Sequence, residues 1–348
     1  MQNIDYIKAL RLYGQHLTNK TDKRTVVRDL NGLQSQFMSN AFHGLRIRCN
    51  EVVTEADFGG GLVKNWTLRG TVHVFAKEDL PLFIRENYRL LDFILPTWWN
   101  SRPCWNLTPE RQKYFSEVIL EALKDYPKSR EALKEICRKN GMTEAEEGSM
   151  FDPWGGGIRE LCQRGFINYT VKEEKEFELT PEYVPMSNSE AETELLRRYF
   201  TNFSPASVKN AAYYFGVSQT KIKALMKTLP VESFSADGVE FYHIGALPSD
   251  VPEIPKCILL SGFDQLMLGY KKEENPFLPK ENLRGIFNLS GIVMPAILLN
   301  GRVLGKWKYK NGKIIFELFE TVSESDKKTV SETASQLFEI KKESFLSL

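Results

Sequence analysis

A helical stretch followed by two short strand-like runs recurs three times in the first 255 residues, and this recurrence constrains the fold most. The third copy is the clearest. A helix with an N-cap and first turn at Ser204-Pro205 is expected to close at Gly216. A second helix follows at 220–229, and the Asp237-Gly238 turn then joins two strand-like runs. Helices that end in a β-ribbon predict a winged helix-turn-helix.

Two earlier copies have the same order of elements but share no close sequence repeat with the third. Apolar periodicity, capping residues and β-branched runs define their elements. The first copy is predicted as helices 3–17 and 27–45 (with a start signal at Thr21-Asp22), a short helix 51–57 closed by glycines 59–61, and one or two strands in 62–75. The second is predicted as helices 130–139 and 158–164 and strands 166–169 and 176–179.

From Cys257 onward the sequence becomes rich in β-forming residues. The turns Asn300-Gly301 and Asn311-Gly312 separate strand-like runs, which is a strong hairpin signal. A charged helix at 325–338 follows. The fold class is therefore predicted to be α+β, with tandem winged-helix modules followed by a small antiparallel β-barrel-like domain. The predicted boundaries are 1–100, 101–188, 189–255 and 256–348.

Composition is that of an ordinary soluble protein, with 42% hydrophobic and 26% charged residues in a chain of 348. No stretch approaches the roughly 20 apolar residues of a membrane span, and the polar N-terminus does not resemble a signal peptide. We therefore expect a cytoplasmic protein with no membrane association. The five cysteines are scattered without a C-x-x-C pair, so we expect free thiols, no metal site and no cofactor.

Positive charge is concentrated near the N-terminus although the net charge is only +1. Residues 1–50 contain eight Lys or Arg and three Asp, a local excess of five positive charges. Such a patch attracts phosphate groups, but it is also compatible with a solvated helix face.

Gln34 is placed unexpectedly in the predicted helix 27–45. At 100° per residue it lies on the apolar side with Leu33 and Phe37, where an amide costs a few kcal/mol unless it is hydrogen-bonded. Gln36 lies about 200° from Gln34 around a regular helix. Either the helix is distorted there, or a helix terminus or a neighbouring wall lets both amides reach one cavity. A satisfied core glutamine beside a surface one is the simpler interpretation.

Five segments together resemble the winged-helix DNA glycosylases typified by AlkZ and by AlkX, also called YcaQ. Proteins of that family have tandem winged helices and a β-barrel-like domain, and they excise alkylated or crosslinked bases. The resemblance covers nearly the whole chain, although each segment alone is weak. The segments are 32–36, 68–73, 203–207, 262–270 and 294–307.

The resemblance implies that Gln34 and Gln36 are catalytic, because the family motif is a glutamine, one further residue and then glutamine or aspartate. Ser35 departs from the apolar residue usual at the middle position. A cationic N7- or N3-alkylpurine leaves without a general acid. Amide oxygens can then stabilise the oxocarbenium-like sugar and hold the attacking water. A monofunctional glycosylase needs no lysine nucleophile.

Double-stranded DNA is the expected partner of a monomeric protein. The candidate DNA-binding residues are Arg46, Arg48, Arg69 and His73. A histidine in a β-run is also a common structural hydrogen-bonder, and Arg69 is equally compatible with plain surface. Asp264 is expected in a turn or a polar network. The tryptophans Trp98, Trp99 and Trp105 suit either base stacking or a core, and Lys221, Lys223 and Lys227 suit a phosphate-facing helix.

Two other functions compete with the glycosylase. A non-catalytic winged-helix regulator would bind duplex DNA without creating abasic sites. An interaction scaffold would have lost its basic surfaces, and the acidic run between Glu173 and Glu178 favours this role for the second module because carboxylates repel phosphate.

Overall fold

The computed structural model describes residues 4–51, 53, 60–84, 102–153, 155–338 and 345–346. The predicted helix 51–57 lies largely outside these residues, as do Trp98 and Trp99. The chain forms two compact units. Unit 1 comprises Met1–Thr54 and Thr193–Leu348, and unit 2 comprises Glu55–Glu192. No helix in the described ranges has the length and apolar character needed to cross a membrane.

The chain contains both helices and antiparallel strands, which confirms a mixed α+β fold. The helices are α1 (Ile4–Gly14), α2 (Lys23–Asp29), α3 (Met38–Arg46), α4 (Leu80–Phe83), α5 (Pro109–Ala122), α6 (Arg130–Lys139), α7 (Glu144–Met150), α8 (Gly156–Gln163), α9 (Asn188–Asn202), α10 (Val208–Phe215), α11 (Gln219–Met226), α12 (Gln265–Leu268), α13 (Leu283–Ile286) and α14 (Glu324–Phe338). The strands are β1 (Leu33–Gln34), β2 (Leu62–Trp66), β3 (Val72–Ala76), β4 (Lys128–Ser129), β5 (Ile167–Tyr169), β6 (Glu176–Leu179), β7 (Val231–Ala236), β8 (Val239–Ile244), β9 (Cys257–Leu259), β10 (Ala296–Leu299), β11 (Arg302–Lys310), β12 (Lys313–Leu318) and β13 (Phe345–Leu346).

In unit 2, strands run in the order β3-β2-β5-β6-β4, and each neighbouring pair is antiparallel. Helix α6 has the predicted bounds, because the Ser129 side chain accepts from the Ala132 N–H and fixes the first turn. Trp105 packs against the core of this unit and donates through Nε1 to the Leu107 carbonyl at 2.8 Å. Its role in the structure is therefore that of a core anchor.

The third helix-ribbon segment lies in unit 1. Gly216 ends α10 in the left-handed conformation, and the Asp237-Gly238 turn joins β7 to β8, as predicted. The predicted helix start at Ser204-Pro205 was wrong. Helix α10 begins at Val208 because the Ser207 side chain accepts from the Asn210 N–H.

A five-stranded sheet in the order β13-β12-β11-β10-β9 follows in unit 1. The Asn-Gly turns link β10 to β11 and β11 to β12 in antiparallel hairpins, whereas β13 is parallel to β12. Helix α14 packs on this sheet through the fully buried Val330 and Ala334. The barrel-like expectation is corrected, because among the described strands the sheet stays open at β9 and β13.

The predicted continuous helix 27–45 was also wrong. Asp22 caps α2 as expected, but the helix ends at Asp29. Asn31 and Gly32 then adopt positive φ angles of 53° and 84°, and the Gly32 N–H closes the helix end on the Val27 carbonyl at 2.7 Å. The chain then forms the short strand β1, a bend follows at Gln36 and Phe37, and α3 starts only at Met38.

Candidate active site in unit 1

The interrupted helix brings the two candidate catalytic amides together. Gln34 is 6% exposed and Gln36 is exposed, and Gln34 Nε2 donates to Gln36 Oε1 at 3.1 Å. Gln34 ends the strand β1 and Gln36 lies in the bend that follows, so the two side chains are not separated by the roughly 200° of a regular helix. The first of the two alternatives drawn from the sequence therefore holds: the helix is broken at the motif.

The hydrogen bond leaves a defined set of open polar groups. Gln36 Oε1 has a second lone pair, and no described residue donates to Gln34 Oε1. Because Gln34 Nε2 donates this hydrogen bond, the Gln34 amide is polarised and its carbonyl oxygen becomes a stronger hydrogen-bond acceptor. The site thus offers two neighbouring amide oxygens, one on a buried side chain and one on an exposed side chain.

Residues 261–265, here called the support segment, hold the residues on either side of the glutamines. Gln265 Nε2 donates to the Gly32 carbonyl at 2.9 Å. The Phe263 ring stacks on Phe37 with centroids 6.4 Å apart and an angle of 20°. Phe263 has a φ of 55°, a conformation that costs free energy for a bulky residue and marks a backbone fixed by its surroundings.

A buried ion pair joins the support segment to the residues that follow α3. Arg48 donates to both carboxylate oxygens of Asp264, at 3.0 and 2.7 Å, and both side chains are fully buried. Burial alone would raise the pKa of Asp264, but the Arg48 charge and hydrogen bonds from Arg48, Leu266 and Ser261 bring it below its ordinary value. Asp264 is a network residue and the N-cap of α12.

The assignment of Arg48 to DNA binding is corrected by this geometry. Its guanidinium also donates to the carbonyls of Gln15 and Gly44, so it has no face open to phosphate. Arg46 is half-buried and lies 4.8 Å from the centroid of the Phe42 ring and 5.6 Å from that of Phe338.

The other two candidate DNA-binding residues belong to unit 2. His73 is fully buried, its Nδ1 lies 2.8 Å from Thr67 Oγ1, and Arg69 Nη2 lies 3.4 Å from its Nε2. Burial, followed by the Arg69 charge, lowers the pKa of His73 to about 3. His73 is therefore a neutral structural hydrogen-bonder, which corrects its assignment as a DNA contact. Arg69 is half-buried with a φ of 57°.

Sequence reasoning missed three residues at this site. Phe37 follows the motif directly and is 48% exposed, which is unusual for a large apolar side chain. Phe263 and Gln265 lie in a segment already noted for its family resemblance, but nothing in a single sequence shows that they contact residues 32–37.

Comparison with known proteins decides the family. The sequence model of the family described as DNA glycosylase AlkZ-like matches residues 27–340. The chain belongs to this family of DNA glycosylases. The match includes both motif glutamines and confirms the resemblance seen in the sequence.

A curated sequence and a solved structure, both of AlkZ from Streptomyces sahachiroi, match almost the whole chain. The curated "Interstrand DNA cross-link repair glycosylase" of Streptomyces sahachiroi is 20% identical over 354 residues, covering 94% of each protein. The solved structure of Streptomyces sahachiroi DNA glycosylase AlkZ is 19% identical and has a TM-score of 0.77, covering 96% of this chain and 95% of that one. At this level of identity the structural likeness shows the shared fold.

Proposed function

We propose that the protein is a monofunctional DNA glycosylase that hydrolyses the N-glycosidic bond of cationic N7- or N3-alkylated purines, including bulky adducts and interstrand crosslinks. The observation that carries the proposal is the amide pair of Gln34 and Gln36, 3.1 Å apart, in a chain of a glycosylase family. The inclusion of crosslinks is supported by the name of the Streptomyces relative.

The chemistry suits neutral amides. A cationic purine departs with the bonding electron pair and becomes neutral, so no side chain has to protonate it. Positive charge develops on the sugar, and the Gln34 carbonyl oxygen stabilises it. The free lone pair of Gln36 Oε1 accepts a hydrogen bond from the attacking water, which then loses its proton to solvent. An uncharged base leaves too slowly to be excised by this arrangement.

Phe37 gives the site a surface for stacking. Its half-exposed ring is held by Phe263 beside the amide pair. We infer that it stacks on a base next to the lesion when the damaged nucleotide turns out of the helix, an interaction that contributes about 1–3 kcal/mol per base. Phe37→Ala should weaken binding of lesion-containing duplex about 5- to 150-fold, whereas Phe37→Tyr should not. If Phe37→Ala binds the lesion-containing duplex as tightly as the wild type, Phe37 does not stack on the DNA.

The test of the proposed reaction uses duplex DNA containing N7-methylguanine. We expect abasic sites, revealed by strand cleavage after mild alkali, and no cleavage before alkali. The alternative function, a non-catalytic winged-helix regulator, predicts duplex binding with no abasic sites. Activity only on a crosslinked duplex would narrow the substrate class without changing the chemistry.

We also propose that α10, α11 and the β7–β8 hairpin form a winged helix within the predicted module 189–255, and that the monomeric protein binds double-stranded DNA. The order of these elements supports the first part. Hydrogen exchange with and without duplex DNA would test which modules are protected, and sedimentation would test the monomer. Unchanged exchange throughout 189–255 would exclude this module from the DNA interface.

A further inference from the structure

A cavity of about 190 Å³ lies in unit 1, and its lining includes neither glutamine of the motif. Helix α1, the start of α10 and the β7–β8 hairpin line it. Much of its wall is apolar, with Ile7, Val239 and Phe241 among the lining side chains. Liquid water occupies about 30 Å³ per molecule, so the cavity has room for a small organic molecule.

Arg11 lines this cavity as a buried cation without an anionic partner among the described residues. Its side chain is 1% exposed, and Nε donates to the Pro205 carbonyl at 2.9 Å. The guanidinium lies 3.8 Å from the centroid of the Tyr270 ring. Its Nη1 is buried, and none of the described residues accepts a hydrogen bond from it. Burial lowers the pKa of Arg11, which indicates a charge placed where it is costly.

Two further hydrogen-bond donors line the same cavity. The Ser207 hydroxyl oxygen accepts from the Asn210 N–H, which leaves its own O–H to donate. Asn210 is 3% exposed, and its Oδ1 accepts from the Lys271 N–H. Its Nδ2 donates to no residue in the described ranges. Both residues belong to the first turn of α10, where the helix dipole favours negative charge.

The cavity thus presents three hydrogen-bond donors, namely an arginine nitrogen, a hydroxyl and an amide nitrogen. Such a set of donors suits the negatively charged oxygens of an oxyanion. The apolar wall is the complement of a hydrocarbon body. Asp237 and Glu274 also line the cavity, so their carboxylates disfavour a polyanion such as the DNA backbone. A small molecule with a single negative charge fits better than a phosphodiester chain.

We propose that this cavity is a binding site for a small organic monocarboxylate. The carboxylate lies against Arg11, Ser207 and Asn210, and the apolar body lies against the wall formed with Phe241. The site is separate from the proposed glycosylase chemistry, so its test does not depend on base release.

Isothermal titration of the full-length protein with sodium benzoate and with sodium hexanoate tests the proposal. We expect saturable binding of at least one of these probes. Benzyl alcohol, which has the same ring but no charge, should bind at least about tenfold more weakly, because it lacks the charge-assisted hydrogen bonds. This comparison uses the wild-type protein only, so a folding defect in a variant cannot obscure it.

Arg11→Met should weaken the same binding about 10- to 100-fold, since one charged hydrogen-bonding partner is lost. Lys8→Met is the matched control, because it removes a positive charge from α1 outside the cavity lining. Three results would overturn the proposal. The first is no saturable binding of either probe, and the second is binding of a probe by Arg11→Met as tight as by the wild type. The third is binding of chloride as tight as that of the probes. A loss of duplex DNA affinity in Arg11→Met without any probe binding would instead assign the cavity to phosphate.

Discussion

Replacing Gln34 by alanine is the sharpest test of the proposed mechanism. The substitution removes the buried amide whose Oε1 accepts from no described residue and whose Nε2 donates to Gln36. Since neither amide contacts phosphate in the proposed mechanism, affinity for DNA containing the lesion should change by less than about threefold. The loss should appear in the chemical step alone.

The expected loss of base-release rate in each variant follows from the role of the amide that is removed. Loss of one positioned polar group from a transition state costs about 10²- to 10³-fold, which is the expectation for Gln34→Ala. Gln36→Ala should cost about 10- to 100-fold, because it removes the water acceptor and one hydrogen bond worth about 0.5–1.5 kcal/mol. Because Gln36 also acts by orienting Gln34, the two losses share the hydrogen bond between the amides, so the double alanine variant should lose less than the product of the two single losses.

Single-turnover base release from N7-methylguanine DNA, measured beside equilibrium binding, checks these values. Thermal melting of each variant provides the control for folding. Gln36→Asp should keep activity within about tenfold, because the exposed carboxylate stays hydrated and accepts from Gln34 Nε2. Gln34→Glu should be inactive or unstable, since it buries an unpaired charge. Release by Gln34→Ala at the wild-type rate would refute the mechanism, and so would fully additive losses in the double variant.

Three further predictions concern stability and binding. Arg48→Met leaves the Asp264 carboxylate buried without its partner, so it should lower the free energy of unfolding by about 3–5 kcal/mol in urea titrations; a wild-type midpoint would contradict this. Burial lowers the pKa of His43 to about 4 in the folded protein. Between about pH 6.5 and 4 the unfolded chain therefore binds a proton that the folded protein does not, so the free energy of unfolding should fall as the pH drops through this range. A urea midpoint that stays constant over this range would exclude the effect. Alanine at all three exposed lysines in and just after α11 should reduce the slope of log K for DNA binding against log salt concentration, by up to about 0.9 per lysine. An unchanged slope would show that this surface does not contact DNA. These lysines are Lys221, Lys223 and Lys227.

Elements with a strong local signal could be predicted from the sequence. The Asn-Gly hairpins and Gly216 at the end of α10 depend on residues that adopt positive φ at low cost. The break in the helix 27–45 had the same kind of signal in Asn31-Gly32, but the apolar periodicity on both sides concealed it. The helix prediction located Gln34 correctly as buried, although the extended backbone produces that burial by a different geometry.

The support of the site could not be predicted, because it depends on contacts between distant residues. A charge count cannot distinguish the buried Arg48 from an exposed arginine, since its partner Asp264 lies 216 positions later. His73 was ambiguous for a similar reason: its full burial follows from its place in unit 2 and has no marker in the neighbouring residues.

The distance along the chain between the glutamine motif and its support segment has a consequence for biosynthesis. Gln265 and Gly32 are 233 positions apart, and unit 2 is made between them. At about 5–20 residues per second, a ribosome needs about 12–47 s to pass from one to the other. During that interval the nascent chain contains both glutamines and Arg48 but not the residues that hold them in place. Catalytic competence therefore arises late in translation, and fragments that end before residue 264 should lack it.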